Sequence, residues 1–263
     1  MGQGEIVSQM PTSLTVGDTQ LAYIYFRSPP SINMSKISAL TTFTRQTCSL
    51  PFQTYRAFTT SLAATMRVPY APKEAPTEEA RPVYERIAAR RNPRPLIPLD
   101  LALLHNPSVA DGWSSFIGAI RTKTSVPDTW KELAISRIAA LNSAVHEWDV
   151  HAALAVKAGV SRDTMSVVFE TPFVGRGNER QQSKNALDKL SKEERGVLEY
   201  TDQMTVGVQV EDGVAQALKE FLDDKQIVEL TATVAAYNCV SRFLVALDVG
   251  ECNGRGMKKV EDL

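Results

Sequence analysis

The stretch from Lys131 to Ser161, KELAISRIAALNSAVHEWDVHAALAVKAGVS, sets ionisable side chains at fixed offsets within an apolar helical pattern. Its apolar residues recur at alternating steps of four and three, which places them along one face of an α-helix. They are Ala134, Ile138, Leu141, Val145, Trp148, Ala152 and Ala155. Ala144, Glu147 and His151 form a neighbouring stripe on the second half, because residues three and four apart share a helix face. The pattern predicts helices that pack on one side and carry ionisable groups beside it.

The ionisable residues of this stretch have a distinctive spacing. Ala144 follows Glu132 after twelve residues, Glu147 follows it after fifteen, and His151 after nineteen. The frame E(x11)AxxExxxH resembles the carboxymuconolactone decarboxylase and alkyl hydroperoxidase D-like superfamily. In the peroxidase branch of that superfamily the same offsets hold Glu, Cys, Cys and His, so this chain resembles a branch without the cysteine pair. The segments LLHNPSVADGWSSFIGAIR and QIVELTATVAAYNCVSRFLVALDVG extend the resemblance over residues 66–250.

The resemblance and the helical periodicity agree on the fold class. No segment shows the alternating pattern of a strand, and the helix signals predict an all-α protein of about seven to nine helices. Val126-Pro127-Asp128 begins the central stretch, Asn142-Ser143 predicts a break within it, and Gly159 ends it. The resemblance implies a compact alkyl hydroperoxidase D-like domain and a homo-oligomer, either a trimer or a hexamer.

The N-terminal region differs in composition from the rest of the chain. From Met34 it is rich in Ser and Thr and has no acidic residue before Glu74, as in a mitochondrial transit peptide. We predict a poorly ordered extension with this transit peptide over 1–65, the family domain over 66–250, and a frayed C-terminal tail over 251–263. This composition indicates the mitochondrial matrix. The alternative is a disordered tail that lacks acids by chance, on a cytoplasmic protein.

Charge and cysteine content exclude several classes of function. Lys and Arg total 29 and Asp and Glu total 30, a balance that does not support a surface for nucleic acid or another polyanion. No apolar run appears long enough to cross a membrane, so we expect a soluble protein without membrane contact. Cys48, Cys239 and Cys252 show neither CxxC spacing nor an even number, which argues against a disulfide framework and a structural zinc site.

Glu147 and His151 are the candidate acid and base. Residues four apart on a helix lie within hydrogen-bonding reach, so this carboxyl and imidazole form a paired proton donor and acceptor if the site is dry. Burial would raise the pKa of Glu147 and lower that of His151, while their attraction opposes both shifts, and the net direction stays open. The resemblance assigns catalysis to both residues, with Glu132 as a supporting carboxylate.

Three further residues are candidate substrate contacts. His146 adjoins Glu147 but lies about 100° away around the helix, so it either contacts substrate or satisfies a polar subunit interface. Arg137 and Arg242 either orient an acidic substrate or form structural ion pairs. His146 and His151 are five residues apart and do not make the HExxH zinc motif, and we expect no metal and no organic cofactor.

The resemblance leaves two classes of function. The first is a cofactor-independent decarboxylase or lactone isomerase, a lyase-like enzyme that acts on a small oxygenated carboxylic acid by acid–base chemistry. The second is a non-catalytic family member that serves as a scaffold or a ligand-binding module. Peroxidase activity is disfavoured, because Ala144 and Glu147 supply neither of the thiols that it requires. Glu132, Glu147 and His151 clustered in an apolar cavity would favour the enzyme.

Overall fold

The computed structural model describes residues 66–171, 173 and 184–263. These residues contain no strand, which confirms the all-α fold. The described helices are α1 (Arg81–Arg91), α2 (Pro98–Leu103), α3 (Pro107–Thr122), α4 (Asp128–Leu141), α5 (Val145–Ala158), α6 (Arg162–Glu170), α7 (Lys184–Leu187), α8 (Lys192–Asp202), α9 (Asp212–Leu218) and α10 (Asp224–Leu247), with a π-helical turn at Gln203–Gly207 and a 3-10 turn at Val260–Asp262. The predicted extension and transit peptide lie outside the described residues.

Helix α4 lies at the centre of the fold. Every residue from Lys131 to Ala139 is buried, and α4 packs against α5, α6, α8 and α10. The predicted apolar stripe is buried throughout these two helices except at Leu141, which is partly exposed. A helix surrounded by other helices must bury its polar residues too, and α4 buries Glu132 and Arg137. Both therefore need partners inside the protein.

The predicted break between α4 and α5 is present. Helix α4 ends at Leu141 and α5 begins at Val145. Ser143 adopts a φ of 53°, and the Asn142 side chain donates to Ser241 Oγ of α10 at 2.7 Å. Asn142 thus fastens the turn to a third helix instead of capping α5. The turn folds α5 back along α4, which brings the two halves of the sequence frame together.

The N-terminal helices form a smaller apolar cluster of their own, built from α1, α2 and the start of α3. Buried Tyr84 and Ile87 of α1 pack there with Leu101 and Leu103 of α2. The Asp100 carboxylate is buried beside this cluster, where it accepts a hydrogen bond from the Ile97 backbone at the start of α2. This arrangement holds the end of α1 and the following loop in place beside the central helices.

Helix α10 is the one described helix whose length and composition would suffice to cross a membrane. It begins at a capping box between Asp223 and Gln226 and runs for 24 residues. Leu230, Val234 and Tyr237 are buried in the main core. The core helix of a globular domain meets the same criterion of length and hydropathy, and α10 has the packing of such a helix.

The C-terminal tail is ordered, and the expectation that it is frayed was wrong. Trp148 Nε1 donates to the Lys258 carbonyl at 2.9 Å, and the Lys258 backbone donates to Asp149 Oδ1 at 3.2 Å. Val260 is buried in the main core, where Met257 also packs. Apolar side chains in the tail therefore cover α5 and α6, and backbone bonds to α5 fix its path.

Candidate active site

Arg121, Glu132 and His151 form a chain of hydrogen bonds across three helices. Arg121 Nη1 of α3 donates to Glu132 Oε1 of α4 at 2.5 Å, and Glu132 Oε2 lies 2.7 Å from His151 Nδ1 of α5. Glu132 is 3% exposed and the His151 side chain 12% exposed. Hydrogen bonds at this depth are shielded from solvent, which strengthens them. The two predicted residues that lie nineteen apart in sequence are direct partners.

The charges in this chain fix the protonation of the imidazole. Burial disfavours ionised Glu132, but hydrogen bonds and charges from His151 and Arg121 outweigh it and lower the pKa of Glu132 below 4.5. Burial lowers the pKa of His151 below 6.5, although the bond to Glu132 opposes this shift. At neutral pH an ionised carboxylate therefore faces a neutral imidazole, and Nδ1 must carry the proton. The lone pair of His151 is then on Nε2, free to accept a proton.

Glu147 has the opposite environment. It is 2% exposed, and neither carboxyl oxygen has a hydrogen-bond partner among the described residues. Burial raises its pKa well above 4.5, so this side chain is a protonated acid where Glu132 is ionised. The expected hydrogen bond between Glu147 and His151 is not formed, because His151 Nδ1 binds Glu132 instead. Two carboxyl groups with pKa values shifted apart are typical of acid–base sites.

Tyr237 of α10 belongs to the same site, and the sequence did not single it out as functional. Its ring stacks edge-on against the His151 imidazole, with centroids 4.9 Å apart. Burial raises the pKa of its phenol, so it is a neutral hydroxyl that can donate a hydrogen bond. From the sequence, the apolar stripe that contains Tyr237 packs either beside the Glu132 to His151 element or across a subunit interface. The contact of Tyr237 with His151 depends on how α10 packs on α5.

These groups line one partly open cavity of about 300 Å³. Glu147, His151, Arg121 and Tyr237 lie on its walls, while the rest of the lining is largely apolar with several arginines. The apolar members are Ile97, Pro98, Leu99, Ile117, Val150, Leu154, Val240 and Leu244. A cavity of this size accepts a small molecule, and its few polar groups meet at the acid and the base.

The three predicted substrate contacts lie in different places. His146 lines the cavity, and burial lowers the pKa of its imidazole although Asp149 opposes the shift. Arg137 is 1% exposed and forms a two-pronged ion pair with Asp202 at 2.6 and 2.7 Å, outside the cavity lining. Arg242 donates to the carbonyl of Asn238 in its own helix and also lies outside the lining. Arg137 thus forms a structural ion pair, whereas the bonds of Arg242 go to Asn238 and to the Thr205 carbonyl.

The described residues contain no group of three or more His, Cys, Asp or Glu side chains that would hold a metal. The two described cysteines also lie outside the cavity lining. Cys239 is exposed, and the buried Cys252 thiol donates to the Gly250 carbonyl at 3.0 Å. The groups that the cavity offers are therefore two imidazoles, a carboxylic acid, a phenol and guanidinium ions.

One segment of the chain, which contains the candidate acid and base, matches a known protein family. Residues 107–187 match the carboxymuconolactone decarboxylase family, which confirms the family indicated by the sequence frame. The matched segment contains Glu132, Glu147 and His151. The match supports an enzyme-like role at the level of that family.

Solved structures show the same fold at low sequence identity. A variant of the debrominase Bmp8 with a cysteine replaced by alanine, in complex with 2,3,4-tribromopyrrole, superimposes with a TM-score of 0.51 at 13% identity. That match covers 73% of this chain and 92% of the debrominase. Bmp8 without ligand gives a TM-score of 0.49 at 13% identity, covering 70% and 89%. Among curated proteins, no sequence relative matches the chain.

Proposed function

We propose that the protein is a cofactor-independent decarboxylase or lactone isomerase that acts on a small oxygenated carboxylic acid. One observation carries this proposal. A neutral imidazole with Nδ1 bound to an ionised Glu132 and an unpartnered, protonated Glu147 line the same cavity. The site therefore holds His151 as a proton acceptor and Glu147, whose pKa burial raises, as a proton donor, which are the two groups that a proton-transfer reaction needs.

In an isomerisation, His151 Nε2 would remove a proton from a carbon next to a carbonyl. The carboxyl of Glu147 would deliver a proton to another carbon of the same conjugated system, so that no net proton is consumed. Tyr237 and Arg121 would donate hydrogen bonds to the oxygen on which negative charge develops. The imidazolium and the carboxylate then return to their starting states by exchange with water.

In a decarboxylation, the electron pair released with carbon dioxide would pass into a conjugated carbonyl. The Glu147 carboxyl would protonate the carbon that carried the leaving group, and Glu147 would regain a proton from water. The apolar lining favours this step, because a poorly solvated carboxylate loses carbon dioxide more readily than a solvated one. Neither route requires an electron sink beyond the substrate itself.

The non-catalytic alternative accounts less well for Glu147. A buried acid without a hydrogen-bond partner costs stability. A scaffold gains nothing from this cost, whereas functional sites often retain such groups. Peroxidase chemistry stays disfavoured, because no thiol of the described residues lines the cavity. The debrominase likeness, at 13% identity, concerns the fold alone.

The first experiment is a substrate screen with the full-length protein. Candidate lactones and β-keto acids that carry carboxylates are incubated with it, and mass spectrometry detects loss of carbon dioxide or an isomeric product. We expect His151→Ala and Glu147→Gln to lower kcat by about 100- to 10,000-fold, the range of general acid–base catalysis. Circular dichroism and size-exclusion chromatography should give unchanged helicity and oligomer size.

His105→Ala is the matched control. His105 is exposed, bonds the Pro69 carbonyl at 2.5 Å, and lies outside the cavity, so its loss should leave turnover unchanged. If His151→Ala turns over substrate at the wild-type rate, the proton-transfer role of His151 is wrong.

A further inference from the structure

The backbone at Met66 is bonded to the end of α10 and to the turn that follows it. The Met66 nitrogen donates to Glu251 Oε1 at 3.1 Å, and its side chain is 6% exposed in the main core. The Arg67 backbone donates to the Leu247 carbonyl at 2.9 Å, and Arg67 Nη1 donates to the Ala246 carbonyl at 2.7 Å. These bonds satisfy carbonyls of the last turn of α10, which have no partner within the helix. The path of the chain is therefore fixed from Met66 onward.

The Glu251 carboxylate is held in position to receive the Met66 nitrogen. Tyr70 Oη donates to the same carboxylate oxygen at 3.2 Å, and the Gly250 backbone donates to Tyr70 Oη at 2.8 Å. Glu251 has a φ of 52°, a left-handed conformation that residues other than glycine rarely adopt. Among the described residues, the partners of this carboxylate are a backbone amide and a phenol, and neither carries a positive charge.

The sequence before Met66 carries a cleavage pattern that ends at this residue. Arg56, Phe58 and Ser61 lie ten, eight and five residues before Met66. This spacing of an arginine, a large apolar residue and a hydroxyl resembles that of mitochondrial precursors that are cleaved twice, and it places the second cut directly before Met66. The region is also rich in Ser and Thr and lacks acids, as transit peptides do. The pattern and the bonded backbone are independent observations that point to the same residue.

We propose that a mitochondrial processing protease cleaves the Thr65–Met66 bond and that the α-amino group released on Met66 pairs with Glu251. In the cleavage, water adds to the Thr65 carbonyl, Thr65 leaves as a carboxylate, and the Met66 nitrogen takes up a proton. The amide that donates to Glu251 in the uncut chain thus becomes an ammonium, since an α-amino group is largely protonated at neutral pH. A charge-assisted hydrogen bond is stronger than a neutral one, so the cut stabilises the contact with Glu251.

The burial of Met66 sets the order of events. Its side chain lies in the main core and its nitrogen is bonded to Glu251, so the folded domain does not offer this bond to a protease. Proteases cut exposed segments of chain. The cut therefore comes before Met66 packs into the core, while the imported chain is still unfolded.

The first test identifies the N-terminus that the full chain acquires in mitochondria. The full-length protein is imported into isolated respiring mitochondria, and external protease removes whatever is not imported. Amine labelling and mass spectrometry then identify the first residue of the product, which we expect to be Met66. Arg56→Ala should abolish this product, while Arg45→Ala, at an arginine outside the pattern, should leave it. No import, a first residue other than Met66, or an unchanged product from Arg56→Ala would overturn the cleavage.

The second test measures the pair between Met66 and Glu251. Urea denaturation compares the uncut full-length protein from bacteria with the processed protein recovered from mitochondria of cells that express the full chain. We expect processing to lower the equilibrium constant for unfolding by about threefold to tenfold, the difference between a charge-assisted and a neutral hydrogen bond. Glu251→Gln should lose this gain, because its carboxamide oxygen still accepts from an amide but offers an ammonium no opposite charge.

Glu261→Gln is the matched control, since Glu261 is exposed in the same C-terminal tail and pairs with Lys259 at 3.8 Å. It should gain as much stability on processing as the wild type. No gain in the wild type, or an equal gain in Glu251→Gln, would overturn the pairing with Met66. Both tests are read without turnover, so their outcome is independent of the substrate screen.

Discussion

At the scale of single residues, the site depends on which partner His151 takes. Glu147 and Glu132 are both within reach of His151 in principle, Glu147 by helical spacing and Glu132 by tertiary packing. The structure pairs His151 with Glu132, and Glu147 is left buried without a partner. Burial therefore determines the protonation of Glu147, and a paired charge determines that of Glu132. Glutamate thus serves as an acid at position 147, and at position 132 it is the carboxylate that orients the His151 imidazole.

The raised pKa of Glu147 predicts a specific pH dependence of stability. In the unfolded chain the carboxyl ionises near 4.5, while in the fold it stays protonated to a higher pH. The unfolded state therefore loses its proton first as pH rises, and the free energy of unfolding falls from pH 4.5 up to the pKa in the fold. The loss is about 1.4 kcal/mol for each unit between the two pKa values.

Glu147→Gln cannot ionise and should lack this loss. Urea denaturation at pH 4.5 and at neutral pH should show that the variant gains stability relative to the wild type as pH rises. Glu85→Gln, with its exposed side chain on α1, should follow the wild type at both pH values. A constant difference between Glu147→Gln and the wild type would show that the pKa of Glu147 is not raised in the fold.

At the scale of helices, one buried ion pair ties the central helix to α8. Arg137 of α4 binds Asp202, at the end of α8, through two hydrogen bonds, and it also donates to the carbonyls of Val168 and Thr171. The exposed fraction of each side chain in the pair is 1% or less. Arg137 thus joins α4, α6 and α8 at one point and holds Glu132, which lies on α4, in position.

Asp202→Asn should destabilise the fold. Removing one partner of a buried pair leaves an uncompensated charge, and such changes cost about 3 to 5 kcal/mol. Urea denaturation at neutral pH measures the loss. Arg86→Gln, which removes an exposed pair with Asp111, should leave the free energy of unfolding nearly unchanged. If Asp202→Asn is as stable as Arg86→Gln, the buried pair does not hold α8 to α4.

At the scale of the whole molecule, the predicted homo-oligomer needs a contact surface. The outer faces of α3 and α10 form an apolar groove lined by Val109, Trp113, Phe116, Ile117 and Cys239, among others. Phe116 is 50% exposed and Val109 52% exposed, which is unusual for large apolar side chains on a monomer. We expect a second copy of the chain to cover this groove.

Phe116→Glu should therefore lower the oligomer mass. Burying a new carboxylate in an apolar contact is costly, so the variant should dissociate toward the monomer, as light scattering after size-exclusion chromatography would show. Val208→Glu is the control, since Val208 is 82% exposed outside the groove and its change should leave the mass unaltered. A wild-type mass for Phe116→Glu would place the subunit contact elsewhere.

The sequence by itself determined the helices and the position of the candidate acid and base. The break at residues 142–143, the stop at Gly159 and the extent of α10 all follow from periodicity, capping and glycine conformation, which are local effects. The spaced frame placed Glu132, Glu147 and His151 together because helical spacing and family resemblance agreed.

Only the tertiary structure decided what those residues contact. It paired His151 with Glu132, brought Tyr237 to the same cavity as His151, and turned Arg137 away into an ion pair with Asp202. It also packed the tail that local composition marked as frayed. These outcomes depend on how helices distant in sequence pack together, and the free energy of that packing comes from contacts that the periodicity of a single helix does not specify.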